Sequence, residues 1–353
     1  MDALRFVAFL MVYLGHAVRN PLSSHAVIQT AFELTGIGVP LFFTLSAYLI
    51  TELLVREKRA TGTLQVRAFY IRRILRICPL YFFTLAAGLV ASRLHPAWRI
   101  PPAAVAAYLL LAGNWYTAYH GYLSAGISPL WTISVEEQFY LVWPLFLRSL
   151  RRRSLILICG LAWCVSQLAL ILLCLRHANG SEIWPNSFVH LQYFALGAGL
   201  SLLLNGTLPK IGGASRFLMI AASLLPFYGV TYVLDRDVHG DVTTIGNTYL
   251  VYLVIGLATV GILAGFLGSQ ALGKVQPLRY LGKISYGLYV FHYECLIAAR
   301  KIVPHVLHRG VLPGVIIVGL ILCVGMAHLS YHWLERPFLL LKQRREIVVS
   351  RPV

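Results

Sequence analysis

The chain has 353 residues, 58% of them hydrophobic and 12% charged, with a formal net charge of +17. Soluble domains are about a quarter charged, so this composition excludes a string of water-soluble domains and indicates an all-α polytopic membrane protein, one domain over residues 1–353. The basic excess is divided among short loops between apolar runs, which is a membrane-topology signal; the bilayer is the expected partner and nucleic acid is not.

Ten apolar runs have the length a bilayer core of about 30 Å requires: residues 3–18, 31–54, 77–92, 133–147, 155–175, 188–204, 217–234, 248–267, 284–299 and 312–334. The first ends in His-Ala-Val-Arg-Asn without a small-residue cleavage pattern, and reads as a retained span. An eleventh stretch, 103–117, is apolar but short and ends in Gly113-Asn114-Trp115. If it crossed, the cluster at 148–153 would face the opposite side from the cluster at 56–76. Read as a re-entrant segment, it leaves ten spans, both termini cytoplasmic, and 22 of the 30 Lys and Arg on the cytoplasmic side. Glu182, Asp235, Asp237, Asp241 and His239 then lie in outer loops. The six cysteines (Cys78, Cys159, Cys164, Cys174, Cys295, Cys323) form no C-x-x-C pair, so packing is expected of them and metal binding is not.

Several runs carry side chains that a membrane helix does not hold without reason. In the first, Arg5 and His16 are eleven residues apart, roughly 16 Å along a helix, with His16 toward the outer half. Residues 36–51, GIGVPLFFTLSAYLIT, put Gly36, Gly38, Ser46 and Ala47 where backbones approach closely, and Pro40 either kinks that span or starts its regular part. Residues 69–81, FYIRRILRICPLY, place Arg72, Arg73 and Arg76 at the cytoplasmic entrance of the third span. They are either a positive-inside anchor or a guanidinium fork for phosphate oxygens.

Residues 129–144, PLWTISVEEQFYLVWP, begin an apolar helix with two adjacent carboxylates. Glu136 and Tyr140 share a face, and since adjacent side chains point in different directions, only one of the two glutamates lines a cavity with Tyr140. Residues 280–296, YLGKISYGLYVFHYECL, hold His292 and Glu294, two apart and therefore not on one face. His328 and His332 are four apart with no third ligand at metal spacing, and read as packed or interfacial histidines.

Together these stretches resemble the acyltransferase family 3 integral membrane proteins, over essentially the whole chain. Arg5 to His16 is similar to that family's R-x10-H element, Phe42 to Ala47 to F-F-x-x-S-G, Arg73 to Arg76 to R-x-x-R, and Trp131 to Tyr140 to W-S-L-x-x-E-x-x-x-Y. The Ile-Ser-Tyr stretch leading to His292 and the ending Leu334 to Phe338, LERPF, also fit. Ala47 replaces the motif glycine, Thr132 its serine and Ile133 its leucine, and Pro40 stands where an aspartate is usual.

The resemblance implies transfer of an acyl group, usually acetyl, from cytoplasmic acyl-CoA to a hydroxyl of an extracytoplasmic carbohydrate or lipid-linked glycan at a bacterial inner membrane. No permanently bound cofactor is implied, with acetyl-CoA the donor substrate. His16 is then the general base, Glu136 its orienting or charge-stabilising partner, Arg5, Arg72, Arg73 and Arg76 the CoA-binding residues, and Ser46, Trp131, Tyr140 and His292 site-lining. No counterpart is expected of the esterase-like domain that some relatives carry. Direct transfer and a covalent intermediate both stay open. Buried His, Glu and Arg also mark ion pathways, so a proton-coupled transporter is the rival reading, and an inactive relative that only binds CoA or glycan is a third.

Overall fold

The structure, a computed structural model, describes residues 1–18, 33–124, 126–234, 244–269, 275–307 and 309–343. Asp235, Asp237, Asp241, His239, Lys274 and the basic residues after 343 lie outside these. The described residues form helices joined by short turns. They are α1 (Asp2–Ala17), α2 (Gly38–Thr61), α3 (Val66–Leu94), α4 (Pro102–Leu109), α5 (Gly113–His120), α6 (Trp131–Ser149), α7 (Arg152–Leu175), α8 (Gly180–Ile183) and α9 (Ser187–Leu204). There follow α10 (Gly213–Leu234), α11 (Ile245–Phe266), α12 (Gln276–Lys283), α13 (Ser285–Val306), α14 (Val311–Ser330) and α15 (Arg336–Gln343).

Large apolar side chains point outward from the peripheral helices, including Leu161 and Leu168 on α7, Phe217 and Leu225 on α10, and Ile317 and Ile321 on α14. In water that surface would associate or precipitate; against acyl chains it is the stable arrangement. Seven described helices are long and apolar enough to cross a membrane: Leu34–Thr61, Val66–Leu94, Arg152–Leu175, Ser187–Leu204, Gly213–Leu234, Ile245–Phe266 and Val311–Lys342. The first is the bundle's axis, with 78% of its most apolar window buried, against 11% in Gly213–Leu234 at the rim.

The other three expected spans fold as helices but do not join this group, each for a local reason. α1 has 16 residues, about 24 Å at 1.5 Å per residue. α6 carries Glu136, Glu137 and Arg148, and α13 carries Glu294, Arg300 and Lys301. Residues 103–117 form two eight-residue helices, α4 and α5, each about 12 Å long, broken where Leu111 takes a φ of 56°.

Cationic side chains tie helix ends together at one pole of the bundle. The last carbonyls of a helix have no partner within it and carry the negative end of its dipole. The Lys58 ammonium donates to the carbonyls of Leu147, Arg148 and Leu150 at the end of α6, 2.8 to 3.3 Å away. Arg152 donates to Leu202 O at the end of α9, and Arg216 to Gly265 O and Leu267 O at the end of α11. Arg59 donates to Asn205, whose left-handed backbone ends α9. The chain therefore leaves α2 and returns from α6 at the same pole, and the segment between α3 and α6 begins and ends at the other.

Two glycines set how near the helices around α2 come. A Cβ at Gly38 would lie 2.7 Å from Val12 Cγ2 and 2.9 Å from the Ala8 carbonyl of α1, and one at Gly197 of α9 would overlap the Thr44 carbonyl. α2 begins regular helix two residues before Pro40, so the proline sits in the first turn, where its missing N–H costs nothing. Gly197→Ala must push α9 off α2 and is expected to destabilise the protein by about 1–3 kcal/mol, read as a lowered thermal midpoint in detergent; an unchanged midpoint would show that the contact gives way without cost.

Candidate active site

A cavity enclosing about 760 Å³, part of it open to solvent, lies where five helices meet. Arg5 of α1, Ser46 of α2, Arg73 and Arg76 of α3, Glu136 and Tyr140 of α6, and Ser285, Tyr286 and Tyr289 of α13 reach its wall. Three guanidinium groups thus face a space with one carboxylate on its wall, a charge balance that favours an anionic occupant.

Local spacing builds each part. Glu136 and Tyr140, one turn apart, are joined by the Tyr140 hydroxyl donating to Glu136 Oε1 at 2.6 Å, and Ser46 meets the same hydroxyl. The Arg73 guanidinium lies over two rings, 5.5 Å from Phe69 and 5.2 Å from Tyr140. Cation–π attraction answers its charge while its buried Nε has no partner among the described residues. Arg5 pairs with Asp2 at 2.8 Å. Glu137, one residue on, is absent from the cavity wall, with its Oε1 buried and unpartnered.

Arg72 stands apart from its neighbours. One helical step from Arg73, it turns away from the cavity and makes a salt bridge of 2.8 Å with Glu57, both side chains buried. Glu57 also accepts from the Gln65 backbone N–H at 3.1 Å, so the pair closes the turn between α2 and α3. The expected CoA contact of Arg72 therefore has no support in this position, where the side chain is paired with Glu57.

His16, His292 and Trp131 also lie outside the cavity lining. Trp131 is buried and stacks on His190, ring centroids 5.6 Å apart. The His16 ring is 5.0 Å from that of His292, which is 5.4 Å from Tyr289 on the cavity wall. A ladder of rings therefore runs from the cavity to His16.

The hydrogen bonds of both histidines fix their tautomers. His16 Nδ1 is 2.9 Å from Val12 O, and His292 Nδ1 is 2.5 Å from Tyr289 O. A carbonyl only accepts, so each Nδ1 carries the proton and each Nε2, in the neutral ring, carries the lone pair. That leaves the basic atom of His16 on the ring edge away from its own helix, and His16 is exposed.

Tyr286 and Tyr289 on the cavity wall carry a local signal of their own: their three-residue spacing, continued by His292, marks one face of α13. His190 offered no local signal, because its partners Trp131, Phe43 and Trp184 come from other parts of the chain. The rings of His328 and His332 lie 4.6 Å apart, with Tyr280 bonded to His328 Nδ1. Among the described residues no three His, Cys, Asp or Glu gather as a metal site.

Glu57→Ala removes the buried salt-bridge partner of Arg72 and is expected to cost on the order of 3–5 kcal/mol. Glu136→Gln keeps an oxygen for Tyr140 and is expected to cost about 1 kcal/mol or less. Chemical unfolding of both variants in detergent checks the order; equal losses would contradict the structural role given to Glu57.

Comparison with known proteins adds what geometry alone does not. A family model described as "Acyltransferase domain" matches residues 1–329. A Bacillus subtilis (strain 168) protein named "Putative peptidoglycan O-acetyltransferase YrhL" is 28% identical over 327 residues, covering 85% of this chain and 50% of that protein. "O-acetyltransferase OatA" of Staphylococcus aureus (strain NCTC 8325 / PS 47) is 25% identical over 360 residues, covering 96% of this chain and 56% of that protein. The chain thus spans about half the length of the curated relatives it matches. No solved structure matches it.

Proposed function

The chain belongs to acyltransferase family 3, and from that premise we propose that it moves an acyl group, acetyl in the simplest case, from cytoplasmic acyl-CoA to a hydroxyl of a glycan on the far side of the membrane. The observation that carries this reading is the cavity: three guanidinium groups beside the hydrogen-bonded Glu136 and Tyr140, within a chain of this family. The names of the relatives point to an O-acetylated acceptor, with peptidoglycan named for the Bacillus protein. Nothing among the relatives supports the transporter reading.

In this proposal the donor enters from the pole of Lys58 and Arg152, which is cytoplasmic if basic residues keep to the inside. Arg73 and Arg76 take phosphate oxygens of CoA, with Arg5 closing the same wall. Ten spans, with the segment at 103–117 dipping in and returning, put His16 near the outer face of a bacterial inner membrane and both termini in the cytoplasm. His16 Nε2 takes the proton of the acceptor hydroxyl as that oxygen attacks the acyl carbon and the CoA thiolate leaves. Glu136, bonded to Tyr140, acts on the donor side of the ring ladder and stabilises positive charge across the cavity. The acyl carbon must pass Tyr289 and His292 to meet that hydroxyl, so these two rings shape the path.

A positioned general base contributes a factor of about 10² to 10⁴. His16→Ala is therefore expected to lower acetyl transfer from labelled acetyl-CoA to an extract of envelope glycan by at least that lower factor, in protein that still elutes as a folded species. Undiminished turnover would remove His16 from the mechanism. Arg73→Lys with Arg76→Lys preserves charge but loses the guanidinium fork, and is expected to weaken CoA binding in a calorimetric titration without affecting insertion. Equal affinity would favour a plain positive-inside anchor.

A further inference from the structure

At the pole opposite Lys58, side chains that the proposed chemistry leaves unused converge beside His16. Two neighbouring stripes of α13, each repeating after seven residues, divide the task. Tyr293 and Arg300 face α1. The Tyr293 ring is 6.0 Å from that of His16, and the Arg300 guanidinium donates to His16 O at 2.6 Å and Ala17 O at 3.2 Å, capping the end of that helix.

Glu294 and Lys301 form the adjoining stripe. The Lys301 ammonium stands 5.7 Å over the Trp98 ring, which stacks on His95 at 4.9 Å in the short turn after α3. The Gly126 backbone lies against the Glu294 carboxylate, and the positive charge of Lys301 acts on it. Glu294 is half-buried. Among the described residues no hydrogen bond engages its carboxylate and no cation comes within salt-bridge distance.

A carboxylate set into an apolar helix is expensive unless something answers it, and among the described residues what faces it is a distant ammonium and a wall. A sugar ring would satisfy all three groups at once. Two neighbouring hydroxyls donate to a carboxylate in charge-assisted hydrogen bonds, an indole covers the apolar face of the ring, and an ammonium donates to a ring substituent. We infer that Glu294, Trp98 and Lys301 form a subsite for one sugar ring of the acceptor, held beside Tyr293 so that a hydroxyl of that or the next ring comes to His16. The inference rests on the reading that the acceptor is a glycan, and deepens it by naming where the glycan sits.

The test separates the subsite from the chemistry. Detergent-purified protein is titrated with chitopentaose and followed by tryptophan fluorescence and saturation-transfer NMR. Saturable binding is expected, weakened about tenfold or more by Glu294→Gln and by Trp98→Ala, since losing a hydrogen bond to a charged group is of that size. Trp98→Phe, which keeps an aromatic face, is expected to retain most of the affinity, and all three variants to keep the wild-type thermal midpoint. No saturable binding by the wild type, or binding that Glu294→Gln and Trp98→Ala leave within about twofold, overturns the subsite; Trp98 is then an interfacial anchor of the ordinary kind. CoA binding is measured by calorimetric titration on the same preparations. It is expected to be equal in wild type and variants, and its absence from the wild type would overturn the acyl-CoA reading while the sugar titration still judged the subsite.

Discussion

A cation inside an apolar bundle persists only where something answers its charge, and the answers this chain uses organise the rest of the structure. Lys58, Arg59, Arg152 and Arg216 are answered by carbonyl oxygens at or just beyond the ends of helices, which have no other partner at the end of a helix. Arg72 is answered by Glu57. Three more guanidinium groups, those of Arg5, which also pairs with Asp2, and of Arg73 and Arg76, border a shared cavity with Glu136 the carboxylate on its wall. The same constraint that fastens one pole of the bundle thus leaves an unbalanced positive patch in the middle of it.

This gives the basic excess two meanings that charge counting merges. Positive-inside placement describes where the cations are, while the helix-end contacts describe what several of them do: they fix the register of α6, α9 and α11 against the loops that enter α3, α7 and α10. At the opposite pole Arg300 does the same for α1, and His16 is in the last turn of that helix. The position of the candidate base is therefore set by a cation on α13.

The cavity and His16 are not one continuous space among the described residues; the rings of Tyr289 and His292 stand between them. In the proposed function two substrates approach from opposite sides of a membrane, and such a division keeps water from an activated acyl group. Small residues permit it. Gly38 and Gly197 bring α1 and α9 to contact distance with α2, so that Arg5 and Ser46 reach the same wall as Arg73 and Glu136.

Where the physics is local, the sequence by itself determined the outcome. Apolar length determined the helical class, the four-residue step from Glu136 to Tyr140 determined their hydrogen bond, and the three-residue step from Arg73 to Arg76 put both on one wall. The face of α13 that carries Tyr286, Tyr289 and His292 was equally legible in its spacing. Only the tertiary structure decided which basic residues are spent on helix ends, because an orphan carbonyl's neighbour in space is far away in sequence. Arg72 is the clearest case: one step of 100° turns it from its neighbours, but that it meets Glu57 depends on the turn between two helices. Trp131 likewise belongs with His190, and Glu294 with Lys301 and Trp98, through contacts no periodicity encodes. A helix's own pattern states which side chains share a face; what that face meets is settled by the packing of other helices against it.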